Sequence, residues 1–331
     1  MSDTPVPVFA DIEQAALRIA RYAVRTPLLE NPVLNARVGA RVFLKPEALQ
    51  RTGSFKFRGA CNRLSAIPEA ERKNGVVAFS SGNHAQGVAA AAALFGMPAT
   101  IVMPADAPRA KLEGTKRLGA KVVTYDRLRE DREAIATKIC TDQGATLVKP
   151  FDDPLVVAGQ GTVGLEIAKD LHALDLTPDL TLVPCGGGGL VSGTALALTS
   201  LFPGTAVVGV EAEDYDGMGR SLRAGVAAAA PAKAITLADS LMAPKPGAIP
   251  FALAKTHLAN AITVDDDDLK RAVSFAFCTL KLVVEPGGSA ALAALLAGKV
   301  DLKGKTVAVV LSGGNVDLDV FTRCCEAYPE P

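Results

Sequence analysis

"GVVAFSSGNHAQGVAAAAALFG", residues 75–96, decides the fold. Val76–Phe79 is an apolar run of strand length, and it breaks into Ser, Gly, Asn and His. An alanine-rich stretch of helix length follows and stops at Gly96. The same alternation continues outward. "PATIVMP" (98–104) predicts a strand, "PRAKLEGTKRLG" (108–119) a helix and "AKVVTY" (120–125) a strand. "REDREAIATKICTDQG" (129–144) predicts a helix and "ATLVKPF" (145–151) a strand. Strands alternating with amphipathic helices of similar length wind a parallel sheet.

A second series lies further along. "GTVGLEIAKDLHAL" (161–174) predicts a helix, "DLTLVPC" (179–185) a buried strand, "LVSGTALALTSLF" (190–202) a helix and "TAVVGVEA" (205–212) a strand. "KTVAVVLSGGN" (305–315) is a strand meeting a glycine turn. In "DDDDLKRAVSFAFCTL" (265–280) the acids Asp265 to Asp268 suit a helix start, where negative charge meets the dipole. The expectation is α/β, with two wound parallel-sheet domains of unequal size: 75–148 as the small one, 1–74 plus 149–331 as the large one. "ARVFLKPEALQRTGSFKFRGACNRL" (40–64) should pack on the large domain and return the chain to a shared cleft.

The 331 residues carry 35 basic and 35 acidic side chains, 49% hydrophobic and only 5% aromatic residues, and no tryptophan. Mean hydropathy is +0.25. No global field points to nucleic acid or an anionic membrane, and base-stacking platforms are disfavoured. The six cysteines lack CxxC spacing, which reads as reduced thiols in a cytoplasmic protein. "MSDTPVPVFADIEQ" (1–14) has no basic segment followed by an apolar core, so no signal peptide is expected.

Three glycine motifs follow apolar strands. In "LVPCGGGGLVSG" (182–193), Gly186, Gly187, Gly188 and Gly189 let backbone approach an oxyanion closely at a helix N-terminus. No lysine followed by serine or threonine comes after them, which excludes the nucleoside-triphosphate P-loop. "GQGTVG" (159–164) matches a dinucleotide fingerprint, but "DDPLVVA" (152–158) separates it from the preceding strand, and helix-packing glycines fit better. In "VVLSGGN" (309–315), Ser312 either faces a ring at a cleft or caps a helix.

Lys56 in "RTGSFKFRGACNRL" (51–64) stands between Phe55 and Phe57. It is either a desolvated nucleophile with a lowered pKa or a lysine snorkelling past aromatic neighbours. "SSGNHAQG" (80–87) lies at a strand-to-helix junction, where Asn83 and backbone amides suit a carboxylate or phenolic oxygen; His84 is a candidate catalyst or a packing residue. A nucleophilic lysine, a phosphate cradle and a strand-end serine are the parts of a pyridoxal 5'-phosphate site. The lysine carries the cofactor as a Schiff base and the glycines hold its phosphate.

With "SFKFRGA", "SSGNHAQG", "GGGGL" and "SGGN" in this order, the chain resembles the serine/threonine dehydratase and serine racemase family, of the tryptophan-synthase β-like fold, over nearly its whole length. The end at "CCEAYPEP" resembles the short form without a regulatory domain. The resemblance implies that Lys56 carries the cofactor and Phe55 packs on its ring. It implies that Asn83 contacts the ring hydroxyl, Gly186 to Gly189 hold the phosphate, and Ser312 faces the pyridine nitrogen. Residues Ser80, Ser81, Gly82, Asn83 and His84 would bind the substrate carboxylate, with Ser81 as the opposite-face acid or base of racemases. Arg132 lies where racemase-like members carry an arginine near the substrate. A divalent cation such as Mg2+ would be held by Glu211 and Asp216 in "VEAEDYDGMG" (210–219), although Gly217 stands where the family has a further aspartate.

The expected activity is that of a lyase converting a 3-hydroxy amino acid (threonine, serine or 3-hydroxyaspartate) into a 2-oxo acid and ammonia. The alternatives are a serine- or aspartate-type racemase on the same site, a nicotinamide oxidoreductase using "GQGTVG", and a silent binding module, which intact Lys56 disfavours. The expected partners are a small amino-acid substrate and a second copy in a homodimer, without nucleic acid or membrane.

Overall fold

The computed structural model describes residues 5–80, 82–107 and 109–329. Its strands are β1 (Leu29–Glu30), β2 (Arg41–Pro46), β3 (Val76–Phe79), β4 (Ala99–Pro104), β5 (Lys121–Tyr125), β6 (Thr146–Leu147), β7 (Leu180–Pro184), β8 (Ala206–Ala212), β9 (Asn260–Val264) and β10 (Thr306–Leu311). They make two sheets. One has six strands in the order β1-β2-β10-β7-β8-β9; the other has four, β5-β4-β3-β6. All pairs are parallel except β1 with β2. Every strand of the smaller sheet lies within 75–148, between β2 and β7 of the larger one.

Strand composition explains the layering. β10 reads TVAVVL, and all its residues but the first are buried. A continuous apolar run has both faces covered, as a parallel sheet between helix layers requires. One core fills one side of the large sheet with Leu44, Leu182, Val210 and Val309. A second core on the other side holds Phe43, Val183, Val207 and Val310. The small sheet is covered in the same way. Phe57, Ala60 and Leu64 of helix Lys56–Ser65 join Val76, Ala85 and Val88 in one cluster, so that helix ties the two units together.

Two details differ from the sequence expectation. The helix expected from Gly161 runs from Pro154 to His172. Asp153 caps it, accepting from the Leu155 and Val156 N–H groups, and Pro154 occupies its first turn. An Asp-Pro start reads as a loop in one dimension but is a favourable N-terminus. β2, β9 and the two-residue β1 lie outside the sequence expectation: β1 and β9 are short sheet edges that bury too little to leave a pattern, and the lysine and proline of RVFLKP interrupt the apolar run of β2. The acidic run starts a helix as expected: Asp265 caps Asp266–Cys278.

"GQGTVG" lies wholly inside helix Pro154–His172 and is buried. A β-carbon on Gly159 would stand 2.6 Å from Gly59 Cα, and one on Gly161 would stand 2.9 Å from the Gly193 carbonyl. These glycines let helices touch backbone to backbone, which removes the basis of the nicotinamide reading. All six cysteines are free. Among the described residues no helix is long and apolar enough to cross a membrane.

Candidate active site

Most of the residues that the sequence singles out meet where the carboxyl ends of β3, β7 and β10 open onto one cavity, the usual position of a ligand in a wound α/β sheet. Lys56 begins helix Lys56–Ser65, and its Nζ donates to the Pro150 carbonyl at 2.8 Å. The ammonium lies 5.1 Å from the Phe55 ring centroid. Burial alone lowers the lysine pKa to about 8. Of the two readings open at this residue, the structure builds the desolvated one. Among the described residues no carboxylate pairs with its ammonium, so the neutral amine is within easy reach.

Gly186 to Gly189 face Lys56 across the cavity. β7 ends at Pro184, and Gly188, at φ 92°, caps helix Gly189–Leu201. A β-carbon at Gly187 would lie 2.4 Å from the Phe151 ring, and one at Gly188 would lie 2.7 Å from Met218 Cε. Only bare backbone fits here, and the N–H groups of a helix start point outward from it. An anion of phosphate size suits this donor set, so the residues present fit pyridoxal phosphate.

Ser312 follows β10 and lines the cavity. Its carbonyl accepts from the Phe55 N–H at 3.1 Å, and its own N–H donates to Gly288 at 3.0 Å. It is a strand-end hydroxyl at the cavity wall, not a helix cap. Asn83 opens helix Asn83–Leu94 and is gripped at both ends of its amide: Oδ1 accepts from Asn315 Nδ2 at 2.8 Å and Nδ2 donates to Glu285 Oε1. Ser80 and Gly82 line the same cavity, with the Gly82 N–H donating to Ser80 Oγ at 3.1 Å. Ser81 lies outside the described residues.

His84 reaches the cavity wall, but its Nε2 pairs with the Val148 carbonyl at 3.0 Å. Burial, reinforced by the Lys56 charge and opposed by the Val148 carbonyl, lowers its pKa to about 3. A ring held neutral at physiological pH and tied to backbone packs the site and does not carry charge to a substrate. Arg132, the first residue of helix Arg132–Gln143, sits at the cavity with its guanidinium 5.5 Å from the Phe79 ring centroid.

The expected cation pair is not built. Glu211 is buried, and its two oxygens accept from the N–H groups of Met218 (2.7 Å) and Gly219 (2.8 Å) at the start of helix Gly217–Ala224. Asp216 is taken by Arg220 at 2.5 Å and Arg223 at 3.4 Å. Two arginines and a helix N-terminus supply the positive charge around these carboxylates. Among the described residues no group of three or more His, Cys, Asp or Glu could hold a metal ion. The residues do not fit a hard cation that needs six or more oxygens.

The sequence reading missed Lys111, Asp239, Glu285 and Asn315. Lys111 sits in an ordinary-looking amphipathic helix and Asp239 in a connection, "AITLADSLMA" (234–243), without a repeating pattern. Glu285 did leave a signal: a lone acid in "LVVEPGGSAAL" (282–292), otherwise apolar.

The profile described as pyridoxal-phosphate dependent enzyme matches residues 19–313. An L-threo-3-hydroxyaspartate ammonia-lyase of Pseudomonas sp is 45% identical, covering 95% of this chain and 97% of that protein. An L-threonine ammonia-lyase of Thermotoga maritima is 44% identical over 95% of this chain and 77% of its own length. The solved structure of maize serine racemase superposes with a TM-score of 0.91 at 34% identity, covering 98% of each chain.

Proposed function

We propose an activity for a chain that belongs to the family of pyridoxal-phosphate dependent enzymes: ammonia-lyase action on a 3-hydroxy amino acid, with 3-hydroxyaspartate as the preferred class. The observation that carries it is Lys56, with its lowered pKa, facing a four-glycine cradle at a helix N-terminus. Pyridoxal phosphate, with its phosphate on Gly186 to Gly189 and its ring beside Phe55, would supply the electron sink. Lys56 then serves as the base for the Cα proton. The Ser80 hydroxyl and the Gly82 backbone would receive the α-carboxylate, and Asn83 would face the ring oxygen. Ser312, a neutral hydroxyl, would meet the ring nitrogen and would not hold it protonated as an aspartate would. Charge build-up at Cα is therefore limited, which favours rapid loss of the β-hydroxyl. The sum is balanced: one water leaves, one is consumed, and the products are a 2-oxo acid and ammonia.

Arg132 sets the substrate class. A guanidinium at the cavity gains nothing from a threonine methyl, but it makes a bidentate, charge-assisted pair with a second carboxylate. The test is 2-oxo acid formation from L-threonine, L-serine and the 3-hydroxyaspartate stereoisomers, with chiral analysis of remaining substrate to detect racemisation. Arg132→Ala should raise KM for 3-hydroxyaspartate about tenfold or more and leave serine and threonine nearly unchanged, as lost ground-state binding does. Equal loss on all substrates would remove 3-hydroxyaspartate from this reading. No 2-oxo acid from any of them would overturn the lyase.

A further inference from the structure

A second lysine enters the cavity and has no part in the scheme above. Lys111 belongs to helix Arg109–Arg117 of the small unit, yet it is nearly buried and reaches across to the large one. Its Nζ donates to Asp239 Oδ2 at 2.6 Å and lies 3.4 Å from Glu285 Oε2. Its stem occupies the space a side chain at 82 would need, since a β-carbon on Gly82 would stand 2.6 Å from Lys111 Cδ. The ammonium is thereby held beside the segment that precedes Asn83.

Glu285 is the hub. It is 1% exposed, and its N–H donates to the Gly313 carbonyl at 3.0 Å. The groups facing it are Lys111 from helix Arg109–Arg117, Asp239 from the turn Asp239–Leu241, and Asn83 from helix Asn83–Leu94. Oε1 takes the Asn83 Nδ2 donor, while Asn315 Nδ2, which also donates to the Thr52 carbonyl at 2.8 Å, feeds Asn83 Oδ1. An ionised carboxylate only accepts, so it forces the amide nitrogen of Asn83 to its side. A protonated one can donate as well, which leaves the Asn315 donor alone to set the orientation. A buried carboxylate stays ionised only with a partner charge. Burial, together with Asp239, pushes the Glu285 pKa up, and Lys111 pulls against both. Burial also works against the Lys111 ammonium, but Glu285 and Asp239 outweigh it and raise its pKa.

We propose that Lys111 is a positioning residue for the reaction: it keeps Glu285 ionised, and Glu285 fixes the Asn83 amide with one N–H free for the cofactor ring. This rests on the reading that Asn83 faces that ring.

The test uses holoenzyme and two readouts across pH 5 to 9, the visible absorption band of the bound cofactor and kcat for the best substrate. In Lys111→Met the acid-side inflection of both should move up by roughly two or more pH units, because a buried carboxylate without its cation titrates nearer neutrality. Turnover at pH 6 should then drop about tenfold relative to pH 8. Lys111→Arg should restore the parent profile. Adding Lys111→Met to Glu285→Gln should change the band no further. A Lys111→Met profile that superimposes on the parent, or a loss that is equal at every pH, overturns the proposal. If Lys111→Met fails to fold, Glu285→Gln decides: its band should no longer respond on the acid side, and a band titrating as the parent's does overturns the proposal. Asn83→Ala separates the two levels. An unaltered band in Asn83→Ala refutes the Asn83 reading itself. A changed band there with an unmoved Lys111→Met profile refutes only the role of Lys111.

Discussion

Lys56 owes its chemistry to what surrounds it. An ordinary lysine is neutral about once in three thousand molecules at pH 7, whereas one with a pKa of about 8 is neutral about once in ten. The capture of pyridoxal phosphate by cofactor-free protein should therefore speed up about fivefold between pH 7 and 8 and level off above pH 9. Stopped-flow absorbance would follow this, and a rate still climbing tenfold per pH unit at pH 9 would show an unperturbed lysine. Lys56→Ala should abolish both turnover and borohydride-stable attachment. The cradle is equally sharp at this scale. Gly187→Val places atoms into the Phe151 ring, so cofactor content after dialysis should fall to near zero.

At the scale of elements, helix Pro154–His172 and helix Gly189–Leu201 form the spine of the large unit. Gly193 packs so closely that a β-carbon there would stand 2.5 Å from the Val157 carbonyl and 2.8 Å from the Gly161 nitrogen. Backbone cannot step aside as a flexible side chain can. Gly193→Ala should cost about 1–3 kcal/mol, read as a lower denaturant midpoint with an unchanged slope. The helix start at Gly217 leads to a second expectation. With Glu211 on backbone N–H groups and Asp216 on Arg220 and Arg223, chelation or added Mg2+ should leave the melting temperature unchanged. A ligand that binds the folded state must raise it, so a magnesium-dependent rise would restore the cation site.

At the scale of the molecule, the helix that Lys56 begins is anchored in the larger unit by a buried charge network. Arg58 is fully buried and donates to Glu47 through Nε and Nη2 at 2.8 Å each, and to Glu166 at 2.7 and 2.8 Å. Lys45, also fully buried, adds a donor to Glu166 at 2.7 Å and to the Thr26 carbonyl at 2.7 Å. The network fastens helix Lys56–Ser65 to β2 and to helix Pro154–His172, which fixes where Lys56 stands. Arg58→Met leaves the buried Glu47 carboxylate without its cation, and about 3–5 kcal/mol of stability should be lost. The loss should change little with salt, since buried pairs are poorly screened.

The alternation of apolar runs and helices, the four glycines after β7 and the aromatic-flanked lysine were legible in one dimension. Each rests on local rules of period, backbone freedom and helix termini, and those rules act on neighbours in sequence. That was enough for the α/β class and for singling out Lys56 and the four glycines, which line one cavity. Folding alone decided which charges face each other. Lys111 meets Glu285 from 174 positions away in the chain; no spacing announces such a pair, because it forms only when two sheets close on one cavity. The same holds for the cation site. Glu211 and Asp216 look like ligands until Arg220 and Arg223, one helix turn and two turns on, are seen to occupy Asp216. Helix periodicity puts those arginines within reach, but only the packing of Glu211 onto the helix start decides that backbone and guanidinium take the oxygens.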